Sequence, residues 1–154
     1  MILITLKRHR GLTLVELLIA GAILALLVAI AMPAYTGYRD RLCVQQAIGD
    51  IMEMELMIQR NFTKTFNFPE TLVEVGLDGK RDCWNRPYEY LKIAGKKGKG
   101  GNRKDRNENP LNSDYDLYSV GKDGQTNQSL RPKVSQDDII RAHDGGYIGL
   151  AADF

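Results

Sequence analysis

Residues 7–32 read KRHRGLTLVELLIAGAILALLVAIAM, and the order of the parts in this stretch decides how the rest of the chain is arranged. Three cations, Lys7, Arg8 and Arg10, come first. Gly11 follows, and then an apolar run from Leu12 to Met32 that only Thr13, Glu16 and Gly21 interrupt. As an α-helix rising about 1.5 Å per residue, such a run reaches across the ~30 Å hydrocarbon core of a bilayer. Cations on its N-terminal flank predict a cytoplasmic N-terminus, with everything after residue 32 on the far side. A secretory signal peptide would have a shorter apolar stretch, about 7–15 residues, closed by small residues at a cut. A plain signal anchor fits the hydropathy equally well.

Neither reading accounts for Glu16. A carboxylate at membrane depth costs a few kcal/mol unless it is paired or near the interface. A cut after Gly11 would make Leu12 the N-terminus and place its α-amine one helical turn from Glu16. The carboxylate would also sit at the positive end of the helix dipole, or pair with the amine of a neighbouring copy.

The averages over the whole chain conceal this segregation. With Lys+Arg 21 against Asp+Glu 19, a net charge of +2 announces no anionic partner. Without Lys7, Arg8 and Arg10 the chain tips to slightly acidic. A length of 154 residues suits one domain. Two histidines, His9 and His143, exclude a histidine-rich metal site, and two cysteines exclude a multi-disulfide scaffold.

Beyond the apolar run, Pro33 removes a backbone hydrogen bond and predicts a kink or local melting, to which Gly37 adds. Val44, Ala47, Ile48, Ile51, Met54 and Ile58 then recur at helical spacing among charged residues. One long helix from about 12 to about 60 follows, its second half amphipathic. A turn-rich linker, Asn61 to Pro69, leads to a short helical or turn segment ending at Gly76. Strands are expected at 87–93, at 114–120 with Tyr115, Leu117 and Ser119 on one face, and at 147–150. A long helix packed on a small antiparallel sheet is an α+β fold.

Lys-Arg-His-Arg-Gly followed by Leu-Thr-Leu-Val-Glu-Leu resembles the class III signal of type IV pilins and pseudopilins. The resemblance implies a pilin fold, cleavage after Gly11 by a prepilin peptidase, methylation of the amine of Leu12, and an assembly role for Glu16 and for the helix-kinking Pro33. The family usually has Phe where Leu12 stands. The implied organisation is a cleaved leader (1–11), a transmembrane and assembly helix (12–35), its amphipathic continuation (36–60) and a globular domain (61–154).

Three later stretches are similar to the major pseudopilin of type II secretion systems. These are Phe68 to Leu72 with Val75 to Gly79, Asp82-Cys83-Trp84-Asn85-Arg86-Pro87-Tyr88-Glu89-Tyr90, and Asp116 to Gly124. Residues 95–112 stand as an insertion. The resemblance implies a non-enzymatic subunit that forms a helical filament with copies of itself. Its implied partners are minor pseudopilins and an inner-membrane assembly platform, and its domain would lie in the periplasm.

Asp114, Asp116, Asp123, Asp137, Asp138 and Asp144 crowd the last third. An EF-hand is excluded, because Tyr118, Ser119 and Gln125 occupy positions that need an acid, a glycine and a glutamate. Otherwise the acids read either as a solvated loop or as a cation site. The resemblance implies one calcium ion, with Asp123 as first ligand and Asp137 or Asp138 as second. Lys92, Lys96, Lys97, Lys99, Arg103, Lys104 and Arg106 form a basic, glycine-rich stretch without the aromatic residues of a single-strand binder, so a flexible solvated loop is expected rather than a nucleic-acid site. Cys43 and Cys83 would share an oxidising compartment, either as a disulfide tying helix to domain or as two separate thiols. No Ser/His/Asp or Cys/His set is visible. His143 beside Asp144 reads as a turn pair.

Overall fold

The computed structural model describes residues 11–96, 98, 100–106 and 108–154. Its chain divides into two compact units, one ending at Tyr38 and the other running Arg39–Phe154. A single α-helix, α1 (Leu14–Thr65), contributes to both.

In the first unit α1 is apolar all round. Leu17, Leu18, Ile23, Leu24, Leu26, Leu27 and Ile30 are each more than half exposed. The most apolar window of the helix has a mean hydropathy of 2.8 and buries nothing within the chain. A helix that is apolar on every side needs lipid or other helices around it. Helical geometry continues through Pro33 and Gly37 without the local melting expected of them. The Thr36 hydroxyl donates to the Pro33 carbonyl at 3.0 Å.

In the second unit the same helix has an inside and an outside. Cys43, Ala47, Ile51, Met54 and Ile58 are buried at steps of three or four residues, a single stripe. The stripe packs on an antiparallel sheet of four strands, β1 (Glu89–Lys92), β2 (Tyr115–Ser119), β3 (Ile139–Ala142) and β4 (Tyr147–Leu150), in that spatial order. Such a meander leaves each strand beside its neighbour in sequence. Tyr115 and Leu117 of β2 and Ile139 of β3 face the helix, joined by Leu72, Leu77 and Tyr88. Tyr115 and Leu117 are on the expected face. The 3-10 turn Leu72–Val75, closed by Gly76 at φ 69°, occupies the expected short segment.

β3 is the strand that sequence reading misses. Its four residues, Ile139-Ile140-Arg141-Ala142, are all buried, so it lacks the alternation that marks a half-exposed strand. Pairing Ile139 with Ser119 and Leu150 makes it central. Its side chains alternate between two cores. Ile140 and Ala142 join Leu111, Leu130 and Ala151 in a second cluster on the side of the sheet away from the helix. The expected insertion therefore supplies a layer: Leu111 and Asn112 cover the outer face of β2 and β3.

Candidate functional site

Gly11 and Leu12, the residues flanking the expected cut, are both exposed, Leu12 to 80%. The leader cations Lys7, Arg8 and Arg10 lie outside the described residues. Glu16 closes a reciprocal cap at the start of α1. Its Oε2 accepts from the backbone N–H of Thr13 at 2.8 Å and from the Thr13 hydroxyl at 2.9 Å. In return, the backbone N–H of Glu16 donates to Thr13 Oγ1 at 3.2 Å. This is a capping box, and it satisfies two donors that a helix start leaves orphaned. Thr13 was missed as a functional partner, although the Thr-x-x-Glu spacing carries the signal. The carboxylate thus lies at the first turn of the helix, where the Thr13 N–H and hydroxyl donate to it.

Cys43 and Cys83 form a disulfide with Cα atoms 5.3 Å apart. It fastens α1 to the loop that begins at Asp82. That loop is organised by the Asp82 carboxylate, whose Oδ1 accepts from the N–H groups of Trp84 and Arg86 at 3.0 and 2.9 Å. Its Oδ2 accepts from Ser119 Oγ at 2.6 Å. Tyr88 donates its hydroxyl to Asp50 on α1 at 2.8 Å. Burial, with the Asp50 carboxylate close by, pushes the Tyr88 phenol far above its usual range. The stretch from Asp82 to Tyr90 is thus tied to the helix at two points, Cys83 and Tyr88.

The fully buried Arg141 is held on both sides. Nη1 and Nη2 reach the two oxygens of Asp114 at 2.8 Å each, and Nε reaches Glu55 of α1 at 2.8 Å. The Tyr115 ring covers the guanidinium at 4.1 Å. Burial opposes the charge on Arg141, but Asp114, Tyr115 and Glu55 outweigh it and raise the guanidinium above its ordinary value.

The acids expected around a cation are placed differently from one another. Gly121, at φ 65°, lies so close to Asp137 that a Cβ would sit 2.2 Å from the Asp137 carbonyl oxygen. Asp137 Oδ2 accepts from the N–H of Asp123 at 2.9 Å, and Asp123 Oδ1 accepts from the N–H of Gln125 at 2.7 Å. Asp123 and Asp137 are therefore neighbours, both fastening turns. Asp138 points inward, fully buried, and its Oδ2 takes Thr126 Oγ1 at 2.6 Å and Arg103 Nη2 at 2.5 Å. Among the described residues no three His, Cys, Asp or Glu side chains converge so as to hold a metal ion. A calcium shell of six to eight oxygens does not fit a carboxylate already occupied by a guanidinium.

Arg103 also corrects the picture of a wholly solvated basic stretch. It is buried to 3% exposure, whereas Lys104 and Arg106 are exposed and Lys92 pairs with Glu70. Lys97 and Lys99 lie outside the described residues. His143 and Asp144 do not pair with each other. His143 Nε2 meets Glu108 at 2.8 Å, while Asp144 accepts from the Ser113 N–H and hydroxyl at 2.7 Å each.

An apolar, capped N-terminal helix continuous with an amphipathic half that packs on a four-stranded antiparallel meander defines a pilin-like α+β protein. Residues 6–32 match the model of the prokaryotic N-terminal methylation motif. No curated protein and no solved structure matches the chain.

Proposed function

We propose that this chain is the structural subunit of a periplasmic pseudopilus that drives type II protein secretion, cut after Gly11 and methylated on Leu12. The observation that carries the filament role is the exposed apolar helix headed by Glu16. Once Leu12 is the N-terminus, the Glu16 carboxylate becomes the acceptor for an α-amine in an apolar fibre core, where no water competes. The secretion assignment rests on the motifs Asp82 to Tyr90 and Asp116 to Gly124. The Cys43–Cys83 disulfide accords with a domain outside the cytoplasm.

Mass spectrometry of the membrane-assembled protein tests the processing. Loss of residues 1–11 with a methyl group on Leu12 is expected, and an intact Met1 would refute it. Deleting the gene separates the two fibre types. Loss of folded proteins from the medium with surface fibres unchanged supports the pseudopilus, and loss of surface fibres alone identifies a surface pilus instead.

A further inference from the structure

We propose that Arg103 is the internal cation of the C-terminal loop, so that the order of residues 123–138 depends on a buried guanidinium and not on a bound metal ion. The inference goes beyond the fibre assignment and holds whichever fibre the chain builds.

Arg103 is delivered from the insertion by its own backbone. Its N–H donates to Asp116 Oδ2 on the outer face of β2 at 2.7 Å, and its carbonyl accepts from Leu111 at 2.9 Å. The next residue stitches the insertion to the middle of the loop. Lys104 donates its N–H to Gln128 O at 2.9 Å and accepts from Leu130 N–H at 3.1 Å. The guanidinium then spans the loop near both ends, with Nη1 on Thr126 Oγ1 at 2.6 Å and Nη2 on Asp138 Oδ2 at 2.5 Å. Tyr118 lies under it at 4.3 Å.

The chemistry fits a permanent cation. A guanidinium keeps its charge at every relevant pH and presents donors in a fixed fork, so it can bridge two loop positions as a divalent ion would. The side chains are 4% and 0% exposed, which leaves water little access to screen the pair. Of the three buried side-chain atoms without a hydrogen-bond partner among the described residues, two, Nε of Arg103 and Oδ1 of Asp138, belong to this pair. The loop has little apolar anchorage of its own: from Gly121 to Asp138 only Leu130 is a buried hydrophobic residue. Removing one member of a buried pair strands the other, which is far costlier than losing a surface contact.

The test uses the mature full-length chain in detergent micelles, in excess calcium and in excess chelator, read by hydrogen exchange over residues 123–138 and by thermal melting. The unaltered protein should give the same exchange and the same midpoint in both. Arg103→Gln should speed exchange across the loop about tenfold or more in either condition, and Arg103→Lys should fall between. Should Arg103→Gln fail to accumulate, Asp138→Asn keeps the question open to measurement. It should loosen the same loop, with calcium making no difference. A chelator that alone loosens the loop or lowers the midpoint of the unaltered protein overturns the proposal, as does an Arg103→Gln loop that exchanges as slowly as the original.

Discussion

The two stretches of α1 put opposite chemistry on their surfaces. Up to Tyr38 the helix presents leucine and isoleucine in every direction and holds one acid, Glu16, at its first turn. From Arg39 onward it hides a single stripe beginning at Cys43, and its other faces mix charged and polar residues with the exposed Leu42, Met52, Leu56 and Met57. The domain it joins goes further, enclosing Arg141, Asp116, Asp138 and Arg103. A helix in lipid satisfies its backbone internally and needs only apolar side chains outside. A small domain in water has few apolar residues to spare and fixes its long connections with buried polar groups, most of them hydrogen-bonded.

If that contrast is right, substitutions in the two regions have separable effects. The largest is expected from Glu16→Ala. Membrane insertion should persist, since a charge has left the apolar segment. Fibre yield should collapse, while the thermal midpoint of the domain stays where it was. Electron microscopy of fibres together with a melt of the membrane-inserted protein checks both halves, and a normal fibre yield would end the pairing argument.

Within the domain, Asp114→Ala should be the most damaging. It leaves Arg141 with Glu55 as its only carboxylate, and breaking a buried pair costs about 3–5 kcal/mol. Denaturant unfolding of the mature chain measures it. A loss below about 1 kcal/mol would show that Arg141 is solvated in the folded state.

Replacing Cys43 and Cys83 together by serine should come next. The bond closes a sequence separation of 40 residues, for which loop-closure entropy gives about 3–4 kcal/mol. A reducing agent should lower the midpoint of the unaltered protein and leave that of the double variant unmoved.

The smallest effect belongs to pH. Burial works to raise the Asp144 carboxyl, but donation from Ser113 wins and holds it below its ordinary value of 3.8. An acid with a depressed folded value contributes stability above its unfolded value and loses that contribution as the pH falls through the folded one. Asp144→Asn should therefore lower stability modestly at neutrality, where the ionised carboxylate contributes, and converge on the original protein below about pH 4, flattening that part of the acid decline. An unchanged acid limb in a pH-dependent melt would mean that Ser113 does not hold the carboxylate in solution.

The sequence by itself determined the apolar first half of α1 and its amphipathic stripe, the motif that spans Gly11 and Leu12, three of the strands and the α+β class. These are written in local periodicity and spacing, which act between residues a few positions apart. Thr13 was equally local and was missed only because Glu16 was read alone. Tertiary structure decided what depends on residues far apart in the chain. The centrality of β3 is set by pairing on both edges, which a short run containing an arginine does not advertise. The choice between paired and separate cysteines came from the approach of residue 83 to residue 43. The fate of Asp138 was settled by Arg103, 35 positions earlier. A carboxylate carries no mark of whether a metal ion, water or a guanidinium will face it. The folded chain makes that choice by bringing one charge to the other and shutting out the solvent.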